Sequence, residues 1–392
     1  MKKQIPVSEL QFGMYVAALD RPWTETPFLF QGFVLETPEQ LETLKKFCSS
    51  VLVDSDRAAP SGPAAALPGA TRHAVQVPVE REAGQARAAH AETEAALRDV
   101  LAAVRANRTL DAKNVEQAVT LMTESVLRNP DALLLFSQLR DKDDYTHAHA
   151  LDVAVYMTSF GRFLQLPAPQ ISLLGYLGLM QDIGKLRVPN EIITKRERLT
   201  PLELDQARKH VAHSVEILRE TPGLPPQVVE LAALHHERLD GSGYPRGLRG
   251  KDIGTVGGIA GIADTFAALI ARRPYGEPVS PSTALSMLYK WRGTLFDAAL
   301  VEQFIRCIGI FPLGSVVELN SGEIGIVIAQ NLEKRLQPRV MVIRDAAGNP
   351  LRPQKLLDLS RAPRVSNDEP YRIKRTLEYG KAGISAETLF MK

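Results

Sequence analysis

From about Glu82 to Gly309 the apolar residues recur at the 3.6-residue spacing of a helix. A stretch of that length has to bury its apolar stripes by packing helix on helix, so it fixes the fold class of most of the chain. Helix starts are written explicitly. Thr200, Pro201 and Glu203 set an N-cap hydroxyl, a proline at the first helical position and an acid at the third, the sequence of a capping box; Ser280 followed by Pro281 marks another start. With 392 residues and 45% hydrophobic content, the chain can bury a sizeable core and is expected to divide into roughly two or three domains.

The flanks of this block read differently. Residues 1–56 hold short strand-like segments, GMYVAAL and SVLVD, around the helical PEQLETLKKF from Pro38 to Phe47, which predicts a small α+β domain. Residues 57–81 read as an Ala/Pro-rich, mobile linker, because AAPSGPAAALPGA (Ala58 to Ala70) is too poor in large apolar side chains to support a core. The helical domain is expected over 82–312. Beyond it, GSVVEL, IGIVIA and RVMVIRD, separated by turn residues such as Asn320 to Gly322, predict a β-rich appendage over 313–392 that closes on a charged tail, RIKRTLEYGK. The expected fold is therefore mainly α, a helical bundle with a small α+β N-terminal domain and a small β-rich C-terminal appendage.

Charge and cysteine content exclude several roles. The 47 basic and 45 acidic residues nearly cancel, so no global field favours a nucleic-acid polymer or an anionic membrane as partner. Cys48 and Cys307 are far apart and lack metal-type spacing, which fits a reducing compartment. The start MKKQIPVSELQFGM has no apolar signal core, and no run of about 18 apolar residues is expected to span a membrane. The expectation is a cytoplasmic protein.

Six of the eight histidines lie between His147 and His236, with Asp182 and Asp264 in or near the same stretch. His149 opens HALDVAVYMTSFGRFL, Gln181 and Asp182 follow SLLGYLGLM, and His210 falls in the helix predicted from Thr200. His235 and His236 close PQVVELAALHH, and Asp264 lies in GGIAGIADTFAALIA. Helical bundles build metal sites from inward side chains on separate helices, and imidazole with carboxylate is a ligand set able to support phosphate-ester hydrolysis. Any one of these residues taken alone is more often a packed or surface side chain; their conjunction carries the reading. Adjacent His235 and His236 diverge by about 100° on a helix, so they would serve different ions or different sides of one.

These segments also carry a resemblance. QDIGK (Gln181 to Lys185), KRERLTPLEL, KHVAHSVEIL, HHERLDGSGYPRGLRGKDI, IADTFAAL and RRPYG are similar to the successive motifs of the HD-GYP family, bacterial metal-dependent phosphodiesterases of cyclic di-GMP within the HD hydrolase superfamily. The likeness runs from about Asp144 to Gly314, and the N-terminal segment resembles a small domain of unknown function that often precedes HD-GYP domains. The resemblance implies metal ligands at His149, Asp182, His210, His235, His236 and Asp264, with Gln181 at the remaining ligand position. It implies that Asp182 bridges two divalent ions, Fe or Mn, and that Lys185 lies near the scissile phosphate. Arg273 would contact phosphate or guanine. Gly243, Tyr244 and Pro245 make the name-giving loop, for which a structural or partner-docking role stands beside a catalytic one. His147 and His213 match no ligand position. Implied partners are cyclic di-GMP, a diguanylate cyclase domain and a second copy of the chain.

Three departures bear on activity. The family's His before Asp is Gln181 here, whose neutral carbonyl oxygen is a weaker donor to such metals than imidazole, so one ion should be held less tightly. Ala267 stands where relatives usually carry Asp, and Gly276 where they often carry a basic residue. Two functions follow from the resemblance: a phosphodiesterase that opens cyclic di-GMP to pGpG and then GMP, with weakened turnover, or a catalytically degenerate receptor or interaction module for the dinucleotide or a diguanylate cyclase.

Overall fold

In the computed structural model, residues 2–21, 33–35, 38–54, 71–139, 145–195, 197–271, 278–331, 334–366 and 368–377 are described. The N-terminal part runs β1 (Lys2–Pro6), β2 (Tyr15–Leu19), β3 (Phe33–Val34), α1 (Pro38–Phe47) and β4 (Ser50–Asp54). Its four strands form one antiparallel sheet in the order β1-β4-β2-β3. Ile5, Val7, Val16, Leu35, Leu44 and Val51 make a small core of its own, to which α1 contributes Leu44.

The helical block comprises α2 (Val79–Arg105), α3 (Ala112–Arg128), α4 (Pro130–Leu139), α5 (Tyr145–Phe163), α6 (Ala168–Met180), α7 (Asn190–Ile193), α8 (Pro201–Arg208), α9 (His210–Arg219), α10 (Pro226–Leu231), α11 (Gly254–Ile270), α12 (Pro281–Trp291) and α13 (Ala298–Ile308). At its centre, α5, α6 and α11 are apolar nearly all round because they are covered on every side. Leu151, Met157, Phe160, Ile171, Leu174 and Ile262 are fully buried, and Phe160, Phe266 and Phe304 meet edge to face at 5.1–5.3 Å. The stretch Gly250–Ile270 is long and apolar enough to cross a membrane by length and composition alone. Its inward residues Ile259, Ala260, Ile262 and Ala263 are packed in this protein core.

The appendage is a five-stranded antiparallel sheet, β5 (Val316–Leu319), β6 (Ile324–Ala329), β7 (Arg339–Arg344), β8 (Pro350–Asp358) and β9 (Ile373–Leu377), ordered β8-β7-β6-β5-β9. Part of the expected charged tail is thus an edge strand. Lys374 and Arg375 both reach Glu318 on β5, at 2.7 and 2.6 Å, and this shared anion lets a basic segment join the sheet.

Two further expectations are corrected. The helix from Thr200 ends at Arg208, and His210 begins a new helix, α9. No residue of α8 is buried, whereas α9 buries Val211, Ser214, Ile217 and Leu218, so the helix is interrupted at Lys209 where burial begins. The helical block starts at Val79, and the preceding Thr71 to Pro78 is pinned to it by Thr71 N–H to Gln165 O (2.7 Å) and Gln76 N–H to Arg128 O (2.9 Å). The rest of the expected linker, 57–70, lies outside the described residues.

Asp131 in the first turn of α4 accepts the backbone N–H of Gln330, just beyond β6, at 3.0 Å. This bond ties the sheet to the helices. Burial pushes the Asp131 carboxyl up to about 6, against the pull of the Gln330 amide, Arg162 and Arg339. Because the folded value lies above the unfolded value of about 3.9, the folded state holds the proton more tightly and stability falls as pH rises through that window. Asp131→Asn keeps an acceptor without the charge. Its stability relative to the parent should rise by on the order of 1 kcal/mol between pH 4 and pH 7 in urea melts; a difference that stays constant across the window would remove Asp131 from the linkage.

Candidate metal centre

Two glycines let the elements that carry the histidines and aspartates approach. On α6, a Cβ at Gly178 would sit 2.3 Å from the Ala154 Cα of α5, so only glycine allows the two helices to meet there. The contact sets the end of α6, where Gln181 is the C-cap and Asp182 follows. A Cβ at Gly184 would lie 2.1 Å from the His210 carbonyl oxygen, while the Gly184 N–H donates to Ser214 Oγ at 2.8 Å. Residues Ile183–Arg187, a 3-10 turn, are thereby fastened to α9 with His210 at its first position. His149 comes from α5 and Asp264 from α11. His235 and His236 come from the turn after α10 and its 3-10 extension Ala232–Leu234, where the sequence predicts a continuous helix.

The structure brings six of the predicted ligands together in two groups that share Asp182. Asp182, His210, His235 and His236 form one, and His149, Asp182 and Asp264 the other, each with ligand atoms within 4.8 Å of one another. His210 Nδ1 donates to Ala207 O (2.6 Å) and His235 Nδ1 to Ala232 O (2.9 Å), which assigns the tautomer of both rings. Their Nε2 atoms are then lone pairs. These face another acceptor, Asp182 Oδ1, at 3.3 and 3.5 Å, and all three atoms are buried without a hydrogen bond among the described residues. Three buried acceptors turned toward one another are unfavourable unless a cation lies between them. The donor set therefore fits a metal ion.

On the other side of Asp182, Oδ2 accepts from Lys185 Nζ at 2.7 Å and faces His149 Nε2 at 3.5 Å. His149 Nε2 also lies 2.9 Å from Asp264 Oδ1. Burial disfavours the Asp182 anion, yet the Lys185 charge and the neighbouring His149 outweigh it and hold the carboxyl well below the usual range. Asp264 is likewise held low against burial, chiefly by His149 and His236. His149 is raised in turn, since its two carboxylate partners outweigh its burial. His236 is pushed well down by burial. Gln181 is only 1% exposed, and neither its amide nitrogen nor its oxygen has a hydrogen-bond partner among the described residues.

The loop Gly243, Tyr244 and Pro245 folds back over this centre. A Cβ at Gly243 would lie 2.4 Å from Arg238 N and 2.5 Å from His236 O, and the Tyr244 N–H donates to that same carbonyl at 3.2 Å. The Tyr244 ring stacks on His236, with centroids 4.6 Å apart and 28° between planes. Glu237, 3% exposed, accepts the Arg246 and Leu248 amides at 2.8 Å each and so ties the loop to the turn that carries His236. This role of Glu237 is absent from the sequence reading, as is that of Arg208, whose guanidinium lies 5.1 Å over the Tyr244 ring. Of the histidines that match no ligand position, His147 reaches Glu94 O at 3.2 Å and His213 faces Glu216. Arg273 and Gly276 lie outside the described residues. Ala267 is packed in the core.

Comparison with known proteins adds a family context. Residues 133–300 match the HD domain, residues 2–115 a domain of unknown function, DUF3391, and residues 316–366 a KOW domain associated with the HD domain. The chain is 32% identical over 92% of its length to the cyclic di-GMP phosphodiesterase PA4108 of Pseudomonas aeruginosa, covering 90% of that protein. It is 30% identical over 50% of its length to a cyclic di-GMP phosphodiesterase of Thermotoga maritima, covering 52% of that protein. Over 41% of its length it is 37% identical to a 3'3'-cGAMP-specific phosphodiesterase of Vibrio cholerae, covering 31% of that protein. Among solved structures, the HDG"Y"P protein Bd1817 of Bdellovibrio bacteriovorus aligns with a TM-score of 0.46 at 16% identity, covering 78% of this chain and 98% of that one.

The close approach at Gly243 makes a direct test of how the loop is held. Gly243→Ala forces a methyl group into backbone atoms that cannot rotate away, so it should destabilise the chain by about 1–3 kcal/mol in denaturant melts. Unchanged stability would mean that the loop lifts freely from His236.

Proposed function

The chain belongs to the HD-GYP-type cyclic di-GMP phosphodiesterases, and from that premise we propose that it opens cyclic di-GMP to linear pGpG, and then to GMP, with reduced turnover. The observation that carries this reading is the set of buried acceptors around Asp182, which needs a cation to be stable. His210, His235, His236 and Asp182 would hold one divalent ion, and His149, Asp182 and Asp264 a second. Gln181 stands at the remaining ligand position. Such ions, Fe or Mn, activate water and offset charge on a phosphoryl group.

The chain's own residues prepare that chemistry. Carbonyls Ala207 O and Ala232 O fix the tautomers of His210 and His235, so both present Nε2 without a proton to move. Asp182 is kept anionic at neutral pH by Lys185 and His149. Lys185, with its side chain 20% exposed, places a cation at the edge of the centre, where it can turn from Asp182 toward a non-bridging phosphate oxygen. Tyr244 over His236 limits water on the loop side.

A second reading, a receptor that holds the dinucleotide without cleaving it, is favoured by Gln181. Its amide oxygen is a weaker donor than the imidazole it replaces. Adding Mn²⁺ or Fe²⁺ to metal-free protein should both tighten cyclic di-GMP binding and yield slow formation of pGpG, followed by chromatography. Binding that ignores chelators, with no product after prolonged incubation, would establish the receptor instead.

Two substitutions sharpen the assignment. Gln181→His should raise metal content and turnover, with elemental analysis beside product formation as the readout; two tightly held ions in the parent, unchanged by the substitution, would overturn this account of Gln181. Asp182→Ala should remove both metal content and activity. Activity lost with full metal content would make Asp182 an orienting residue.

A further inference from the structure

Among the described residues, the cations in contact with the metal centre and its loop differ in how far they are open to solvent. Lys185 is bonded to Asp182 at 2.7 Å. Arg238 donates to His235 O and Glu237 O at 3.0 and 2.8 Å and lies over the Phe296 ring. Arg208, two residues before His210 at the end of α8, has its side chain 44% exposed; its nearest acid is Asp205, at 3.9 Å on the same helix. Its guanidinium stands over Tyr244, which stacks in turn on His236. Tyr244 is thus in contact with both the His236 imidazole and the Arg208 guanidinium. His236 faces Asp264 Oδ2 at 3.9 Å. The layers run Asp264, His236, Tyr244, Arg208, from the centre outward to solvent.

We propose that Arg208 is a substrate-binding residue that takes the phosphodiester not being cleaved. This rests on the reading above, in which one phosphodiester of a cyclic dinucleotide meets the metal centre. The other phosphodiester then lies beyond the reach of the ions and needs a cation of its own. Arg208 offers a planar, permanently charged fork suited to two phosphate oxygens. Its seat on the Tyr244 ring holds it above the centre while leaving its edge N–H groups free to donate. The tyrosine already carries His236 and Arg208 against its ring, so it acts as a spacer that holds Arg208 above the centre.

The test compares two substrates on metal-loaded full-length chain. With cyclic di-GMP, Arg208→Ala should raise KM about tenfold, leave kcat within about twofold and flatten the salt dependence of kcat/KM; Arg208→Lys should recover part of the loss. With bis(p-nitrophenyl) phosphate, which has a single phosphodiester, Arg208→Ala should change nothing. Equal losses on both substrates would mean that Arg208 only supports the loop, and an unchanged KM for cyclic di-GMP would show that it does not touch substrate; either outcome overturns the proposal. A parent protein that cleaves bis(p-nitrophenyl) phosphate but neither binds nor cleaves cyclic di-GMP would sink the substrate reading, and this assignment with it.

Discussion

Asp182 carries its carboxylate between two sets of groups that arrive from separate parts of the chain. His210 and His235 face one oxygen, and Lys185 and His149 the other. A buried carboxylate costs several kcal/mol in lost hydration unless charge and hydrogen bonds replace it. Here Lys185 on the Ile183–Arg187 turn and His149 on α5 supply them, and α9 and the turn after α10 bring His210 and His235 to the same carboxylate. The glycines follow from the same demand. Gly178 and Gly184 stand where the backbones must come closest for these side chains to converge, and any Cβ there would hold the elements apart.

Much of this arrangement is legible in the sequence. The helical block, the strands of the appendage and the helix from Pro38 to Phe47 follow from periodicity and end signals that agree with burial. The predicted ligands converge although they sit at different places on their elements: His149 near the start of α5, Asp182 just after α6, His210 at the start of α9, His235 and His236 after α10, and Asp264 within α11. The break at Lys209 is not legible. LELDQARKH offers no apolar stripe whose shift would reveal an interruption, and the helix break depends on α9 having a core to face. Glu237 is hidden for a related reason. In HHERLDG it reads as one more surface acid, and only the return of the chain 9 and 11 residues later gives its oxygens the Arg246 and Leu248 amides. Arg208 is obscured likewise, since its partner Tyr244 is remote in sequence and close only in the fold.

The loop and the centre are mechanically one unit. Gly243 rests against the backbone of His236 to Arg238, Tyr244 bonds to and stacks on His236, and Glu237 grips the residues beyond Pro245. No part of the loop can move far without pulling the turn that carries two imidazoles. Its glycine and aromatic are therefore explained by packing and hydrogen bonding, and its chemical contribution passes through what it holds in place.

Gln181 is the position where folding and chemistry pull apart. A residue 1% exposed with neither amide atom partnered among the described residues costs roughly 1–3 kcal/mol for each unsatisfied group, whereas leucine, of similar volume, would cost nothing of the kind. Folding alone therefore gives no reason for a polar side chain here. On the function proposed above, the reason is the ion. Replacing a neutral imidazole by a neutral carboxamide leaves the charge of the centre unchanged and alters only the character of one donor. Carbonyl oxygen suits Mn or Mg, whereas imidazole suits Fe or Zn. With Gln181 at that ligand position, as proposed, its ion would be held less tightly and the preference of that position would shift toward harder metals.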